Sequence, residues 1–161
     1  MKKLDDLFLH LLKDVYHAEK QATRAMPRMA KQVRSEELRR ALETHQEETL
    51  AQVERLEQVF ELLGKKPRGE TCEAIQGLVE EAKEVMEDAE DPEVKDAGIL
   101  AAAQAIEHYE IARYGTLRTW AEELGMQDAA RLLQQTLDEE KKTDELLSGI
   151  AIARINRMAA A

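Results

Sequence analysis

The stretch EHYEIARYGTL, residues 107–117, has a glutamate in the middle of an otherwise apolar helical stripe. Alternating steps of three and four along this segment give Ile99, Ala103, Ile106, Glu110, Tyr114 and Leu117. Residues at this spacing lie on one side of an α-helix, so the stripe predicts a helix that packs into a core. The glutamate at its centre predicts a polar position inside that core.

Three other segments repeat this pattern, and each has one glutamate flanked by apolar residues at helical spacing. The stripes are Leu12, Val15, Glu19, Ala22, Met26 and Met29 in the first segment; Leu38, Ala41, His45, Glu48, Gln52 and Leu56 in the second; and Ala129, Leu133, Thr136, Glu140, Thr143 and Leu147 in the last. Together the stripes predict an all-α bundle of four long helices with a polar layer inside.

Capping and stop signals give the expected helix boundaries. Ser35 and Asp91 are suited to N-caps, Pro92 to a first helical position, and Gly64 and Gly125 to helix ends. The long helices are predicted at about 4–33, 36–63, 92–124 and 127–157, with a shorter helix at about 71–89. Pro27 falls inside the first helix, where we expect a kink.

The connections between the helices are of two kinds. Two short turns make helical hairpins, and a segment of about 28 residues, 64–91, joins them. One long crossover between two hairpins is typical of ferritin-like bundles. The chain is therefore predicted to be a single ferritin-like domain, 1–161, whose crossover contains a fifth, shorter helix. The apolar residues of that helix could cover the bundle or a partner; they are Ile75, Leu78, Val79 and Val85.

Composition and charge exclude several classes of protein. The net charge is −10 and the pI is about 5.0, so there is no basic surface for nucleic acid. No run of 18 apolar residues is present, so no membrane span is expected. Cys72 is the single cysteine, which excludes an intrachain disulfide. The first residues lack the pattern of a signal peptide, and we expect a cytoplasmic protein.

The four stripe glutamates are predicted to lie at one level. Glu19 and Glu48 are equidistant from the first turn, and Glu110 and Glu140 are equidistant from Gly125. Burying one unpaired carboxylate costs at least several kcal/mol, so such a layer must take up protons, pair with buried Arg or Lys, or bind cations. Two divalent ions would neutralise four carboxylates.

Nearby residues extend this candidate metal site. The imidazole of His45 lies one turn from Glu48 and suits iron, manganese or zinc. Carboxylate-rich sites in helix bundles typically hold two iron or two manganese ions. The candidate ligands are Glu19, His45, Glu48, Glu107, Glu110, Glu140 and Asp144. Supporting candidates outside the ligand set are Asp14, Tyr16, Gln52, His108, Tyr109 and Tyr114.

The candidate set departs from the usual di-iron pattern, which has Glu-x-x-His on two helices. Here the order is reversed in His45-x-x-Glu48, and the last helix has Glu140 followed by Asp144 without a histidine. A site of this composition would be richer in oxygen ligands, asymmetric or only partly occupied.

Four motifs resemble the YciF/YciE-like bacterial stress proteins of the ferritin-like superfamily. They are DVYHAEKQ (14–21), THQEET (44–49), EHYEIARYGTL (107–117) and LDEEKKTD (137–144), and the resemblance covers nearly the whole chain. It implies a helical bundle, a homodimer and a link to stress responses. It also implies a rubrerythrin-like dimetal site in which Glu19, Glu48, Glu110 and Glu140 are the matching carboxylates.

Three hypotheses of function follow. The leading one is a metalloprotein that binds two iron ions, or two manganese ions, and uses them on oxygen or peroxide, as an oxidase or peroxidase does; whether it turns over a substrate is left open. The alternative is a dimeric stress-associated scaffold whose polar layer is structural. The third is iron storage, which would require a large symmetric shell for which the sequence gives no indication.

Overall fold

The chain folds into an all-α bundle, as predicted, and the computed structural model describes all 161 residues. The helices are α1 (Leu4–Gln32), α2 (Glu36–Leu62), α3 (Glu73–Asp88), α4 (Pro92–Glu123), α5 (Gln127–Ile150) and α6 (Asn156–Ala159), with a π-helical segment (Ala151–Ile155) joining α5 to α6. None of the helices has the length and apolar character that crossing a bilayer requires.

The predicted caps and turns set the helix ends. The hydroxyl of Ser35 accepts a hydrogen bond from the backbone N–H of Leu38 at 3.3 Å, and Asp91 accepts two from the first turn of α4. Gly64 and Gly125 end the hairpin helices with φ of 64° and 72°, a left-handed conformation that side chains disfavour.

Two helix boundaries differ from the prediction by more than one residue. The crossover helix was predicted from residue 71 but begins at Glu73, because Cys72 is its N-cap and the Cys72 Sγ accepts from the N–H of Ile75 at 3.4 Å. The last helix was predicted as continuous, but it changes to π-helical geometry at Ala151–Ile155. Neither difference alters the topology.

Helix α1 continues through Pro27, so the proline does not end it. Proline has no N–H, which leaves the carbonyl oxygen four residues earlier, on Thr23, without its helical partner. The side-chain amide of Gln46 on α2 reaches that oxygen at 3.5 Å. A kink at this position stays a prediction.

Helices α1 and α2 form one hairpin and α4 and α5 the other. Helix α2 packs against α1 and α5, whereas α4 packs against α1, α3 and α5. The crossover helix α3 lies on α1 and α4, and Cys72 and Ile75 are buried there among Ala18, Ala22, Met26 and Ile106.

The bundle has two apolar cores, one towards each end. The core that we call the aromatic end includes Phe8, Leu12, Tyr16, Phe60, Tyr114, Leu117 and Leu133. The core that we call the alanine end includes Ala25, Met29, Ala30, Ala41, Ala103, Leu147 and Ala151. The sequence positions of the stripe glutamates fall between these two sets, so the polar layer separates the two cores.

A buried carboxylate closes the turn between α1 and α2 at the alanine end. Asp96 of α4 is only 1% exposed, and its two oxygens accept hydrogen bonds from the backbone N–H groups of Arg34 and Ser35 at 2.7 and 2.8 Å. The contact ties the first turn of α4 to the start of α2, across more than sixty residues of sequence.

Candidate metal centre

The polar layer crosses the middle of the bundle. Every residue of the four predicted stripes is buried except Glu48, and Glu107 is buried in addition. The layer therefore contains Glu19 from α1, His45 from α2, Glu107 and Glu110 from α4, and Glu140 from α5. Glu107 and Glu110 are one turn apart and both face inwards, as residues three apart on a helix can.

Four of these side chains converge on one point. His45, Glu107, Glu110 and Glu140 each have one potential ligand atom, and these atoms all lie within 4.8 Å of one another. The Nε2 atom of His45 is 3.0 Å from Oε1 of Glu107 and 3.5 Å from Oε2 of Glu140. Nevertheless, this nitrogen has no hydrogen-bond partner of acceptable geometry. The potential ligand atoms of the imidazole and the carboxylates thus converge without being hydrogen-bonded to one another through Nε2.

Most of the carboxylate oxygens in the layer are orphaned. Both oxygens of Glu110, both of Glu140, Oε2 of Glu19 and Oε2 of Glu107 are buried without a hydrogen-bond partner. No lysine or arginine forms an ion pair with any of these four residues, so one of the three ways of satisfying the layer is excluded. Protons or cations must satisfy it, and a set of carboxylates with one imidazole fits iron, manganese or zinc.

Three carboxyl groups of the layer, those of Glu19, Glu110 and Glu140, have raised pKa values. Burial raises the pKa of Glu19 to about 7, although the hydrogen bond from the Tyr114 hydroxyl opposes this. Burial also raises the pKa of Glu110 well above its ordinary value, and repulsion from Glu19 and Glu140 adds to the effect. Burial likewise raises the pKa of Glu140. A cation that displaced these protons would relieve the same repulsion.

For the imidazole of His45, burial acts on the pKa in the opposite direction. Burial lowers its pKa, but the neighbouring carboxylates of Glu107 and Glu48 outweigh burial and hold the pKa well above its usual value. The Nδ1 atom of His45 is 3.1 Å from the hydroxyl of Thr143 and 3.4 Å from Oε2 of Glu48. These contacts fix the ring so that Nε2 faces the layer.

Glu48 lies at the edge of the layer. Its side chain is 36% exposed, and its carboxylate contacts the outer nitrogen of His45 and the hydroxyl of Thr143 at 3.5 Å. The hydrogen bond from His45 lowers the pKa of Glu48. A surface cavity of about 340 Å³ between α2 and α5 reaches Glu48, His45 and Thr143, with Lys142 on its wall.

Asp144 is placed outside the layer. Its Oδ1 atom accepts a hydrogen bond from Gln104 at 3.0 Å and is 3.0 Å from Nε2 of His108. Asp144 and His108 therefore contact each other on the outer side of α4 and α5. Asp14 is also directed elsewhere, since its Oδ2 accepts from the Tyr109 hydroxyl at 2.7 Å, and that hydroxyl is 3.0 Å from Cys72 Sγ.

Supporting contacts surround the layer on the side of the aromatic end. The Tyr114 hydroxyl donates to Oε1 of Glu19, and Tyr114 is fully buried. The Gln52 amide donates to Glu139 at 3.2 Å, while Arg55 holds the same carboxylate with two bonds of 2.7 Å. Tyr16 donates instead to Glu57, further from the layer in sequence.

Sequence reasoning missed the pair of Arg55 and Glu139, and it gave Thr143 only a place on a stripe. The sequence did indicate that Arg55 lies one turn beyond Gln52, and this spacing could have predicted an ion pair near the layer. The pair holds the Gln52 amide in place, while the Gln52 carbonyl oxygen stays buried without a partner.

Comparison with known proteins gives one family and one close curated relative. The sequence profile described as "Domain of unknown function (DUF892)" matches residues 3–160. Protein YciF of Escherichia coli (strain K12) is 51% identical over 160 residues, which is 99% of this chain and 96% of that protein.

Solved structures share the fold. The crystal structure of the E. coli stress protein YciF superposes with a TM-score of 0.93 at 51% identity, covering 97% of this chain and 99% of that one. YcfI of Rhodopseudomonas palustris, for which a structural role is suggested, gives 0.90 at 51% identity, covering 91% and 94%. A protein of Xanthomonas campestris gives 0.73 at 27% identity, covering 94% and 92%.

Proposed function

The chain belongs to the DUF892 family, and from its buried polar layer we propose that it is a stress-associated metalloprotein that holds two divalent ions, iron or manganese. Oxygen or peroxide would be the reactant. The observation that supports the proposal is the convergence of His45, Glu107, Glu110 and Glu140 within 4.8 Å, with most of their inward atoms unpartnered. The kinship with the E. coli stress protein supports the association with stress.

The residues divide into three groups under this proposal. Glu110 and Glu140, with both oxygens free, would hold the ions, and Glu107 and Glu19 each have one free oxygen to add. His45 would supply the single nitrogen. Bound iron or manganese would supply redox chemistry and Lewis acidity that the side chains lack.

Glu48 would act at the solvent side of the centre. Its partial exposure and its contact with His45 place a carboxylate between the surface cavity and the buried layer. A carboxylate there can accept a proton from a small molecule or orient it by a hydrogen bond. Asp144 is the predicted ligand that the geometry favours least, because its Oδ1 atom already contacts Gln104 and His108.

Metal analysis tests the proposal directly. Protein purified without chelator or affinity tag should contain about two iron or manganese ions per chain, by elemental analysis. The variant Glu110→Ala/Glu140→Ala should lose them. The control Glu43→Ala/Glu145→Ala removes two exposed glutamates, one on α2 and one on α5, and should keep the ions. Absence of metal after anaerobic loading of the unaltered protein with Fe(II) would refute the proposal.

A second candidate function is a dimeric scaffold with a structural, protonated layer. It is favoured by the raised pKa of Glu19, about 7, since protons could then satisfy part of the layer without metal. A carboxyl group whose folded pKa exceeds its unfolded value stabilises the fold at low pH and loses that effect as pH rises. The scaffold should therefore become less stable between about pH 5 and 8 and should ignore chelators.

The two candidates separate in a melting experiment. A metal centre should make the melting temperature fall with chelator and recover with one preferred ion. Light scattering would distinguish the proposed homodimer from a large shell, and a large shell would support iron storage instead.

A further inference from the structure

A groove lies between the C-terminal half of α1 and the crossover helix α3, away from the metal centre. Its volume is about 400 Å³, within the usual range for ligand pockets of about 300–1,000 Å³. The lining residues are Ala25, Arg28, Met29, Lys31, Gln32, Val79, Ala82, Lys83, Met86 and Glu87. None of them belongs to the polar layer.

The floor of the groove is apolar because α3 covers α1 incompletely. Helix α3 buries only Ile75 and Ala82, whereas Val79 and Met86 stay half-buried. Each helix contributes one small side chain to the lining, Ala25 from α1 and Ala82 from α3. The flexible Met29 and Met86 can adjust to the shape of an occupant.

The rim of the groove is basic in a protein whose net charge is −10. Arg28 and Lys31 on α1 are exposed, and neither forms an ion pair with an acidic side chain. Lys83 on α3 is already paired with Glu80 at 3.0 Å, and Glu87 is the one acidic side chain in the lining. The free positive charge therefore comes from α1.

We propose that this groove binds a single-chain amphiphile with a carboxylate head, a molecule of the fatty-acid class. The hydrocarbon chain would lie on the floor formed by Met29, Val79 and Met86. The carboxylate would pair with Arg28 and Lys31, which are otherwise unpartnered. An uncharged lipid would leave the two cations unused, and a ligand without an apolar chain would leave the floor exposed to water.

Displacement of fluorescent cis-parinaric acid by palmitate tests the proposal on the whole protein. We expect saturable binding of one probe per chain and displacement by palmitate. The variant Arg28→Glu/Lys31→Glu should weaken binding by about tenfold or more, since two attractions become repulsions. The control Arg24→Glu/Lys66→Glu makes the same charge change at exposed, unpaired positions outside the groove and should leave the dissociation constant unchanged.

Two further measurements separate the floor from the rim. Val79→Trp fills the space and should weaken palmitate binding by about tenfold, with an unchanged melting temperature showing that the fold is intact. The methyl ester of palmitate keeps the chain but removes the charge, and it should bind markedly less tightly than the acid.

Several results would overturn the proposal. They are no saturable binding, an equal loss in the control variant, equal binding of acid and ester, or a groove variant that changes the oligomer size in light scattering while palmitate binding persists. The last result would identify the groove as a contact between copies of the chain.

Discussion

The two ends of the bundle fill the same four-helix geometry with different side chains. The aromatic end is packed with Phe8, Tyr16, Phe60 and Tyr114, and the rings of Tyr16 and Phe60 meet edge to face with centroids 5.5 Å apart. The alanine end is packed with small and flexible residues, and it borders the groove under α3.

The difference indicates that rigid side chains pack on one side of the polar layer and small or flexible side chains on the other. Large aromatic side chains bury much area each and hold fixed positions, so the aromatic end should provide most of the stability. The alanine end compensates with a buried polar contact from Asp96, which fixes a turn that small side chains alone would not fix. Four predictions test this contrast, from the largest expected effect to the smallest.

The largest effect is expected at Phe60, which is fully buried in the aromatic end. Phe60→Ala should lower the free energy of unfolding by about 3–5 kcal/mol, through lost burial and a cavity that the rings around it cannot fill. The matched change Met29→Ala at the alanine end should cost about 2 kcal/mol, because its neighbours can repack. Urea unfolding measures both values, and a larger loss at Met29 would contradict the contrast.

The second prediction concerns the polar contact of the alanine end. Asp96→Ala should cost about 1–3 kcal/mol, because the N–H groups of Arg34 and Ser35 lose their acceptors. Hydrogen exchange at these two amides should accelerate, while amides of the aromatic end keep their protection. The exposed Asp88→Ala serves as a control, and an equal loss in the control would show that Asp96 has no special role.

The third prediction probes the close approach of α3 and α4. A Cβ atom added at Gly98 would lie 2.3 Å from Cγ1 of Val85, and a β-branched side chain has little freedom to move away. Gly98→Ala should therefore cost about 1–2 kcal/mol. The double variant Gly98→Ala/Val85→Ala should recover part of that loss in thermal melting, and no recovery would place the strain elsewhere.

The smallest effect is expected in the layer itself, and it has the opposite sign. In metal-free protein above pH 7, Glu19→Gln should raise the free energy of unfolding by about 1 kcal/mol, seen as about 2–4 °C in melting temperature. The reason is that the amide removes a buried charge while its oxygen still accepts from Tyr114. The same variant should bind metal more weakly. A gain in both stability and metal affinity would therefore contradict a metal centre.

Much of the fold was predictable because periodicity and caps act locally. The four stripes, the two hairpins and the crossover helix follow from spacing and from a few residues such as Ser35, Asp91 and Gly125. The structure has the predicted all-α bundle, with helix ends that differ by a few residues. The π-helical segment was not predictable, because nothing in its sequence distinguishes it from the helix before it.

The contents of the layer were less predictable, because rotation of each helix about its axis depends on its neighbours. Helix α4 contacts α1, α3, α5 and α6, so two of its residues, Glu107 and Glu110, face inwards. Helix α2 packs against only α1 and α5, and one turn beyond His45 its surface already meets solvent at Glu48. Asp96 escaped notice for a related reason, since its partners are distant in sequence.

The buried cap at Cys72 gives the crossover a built-in reporter. The thiol is the only one in the chain, it is 1% exposed, and it lies at the junction where α3 begins. A reagent that reacts with thiols must wait for this junction to detach from α1 and α4, so the labelling rate under native conditions measures the free energy of that opening. Opening of α3 can thus be timed without adding any probe to the protein.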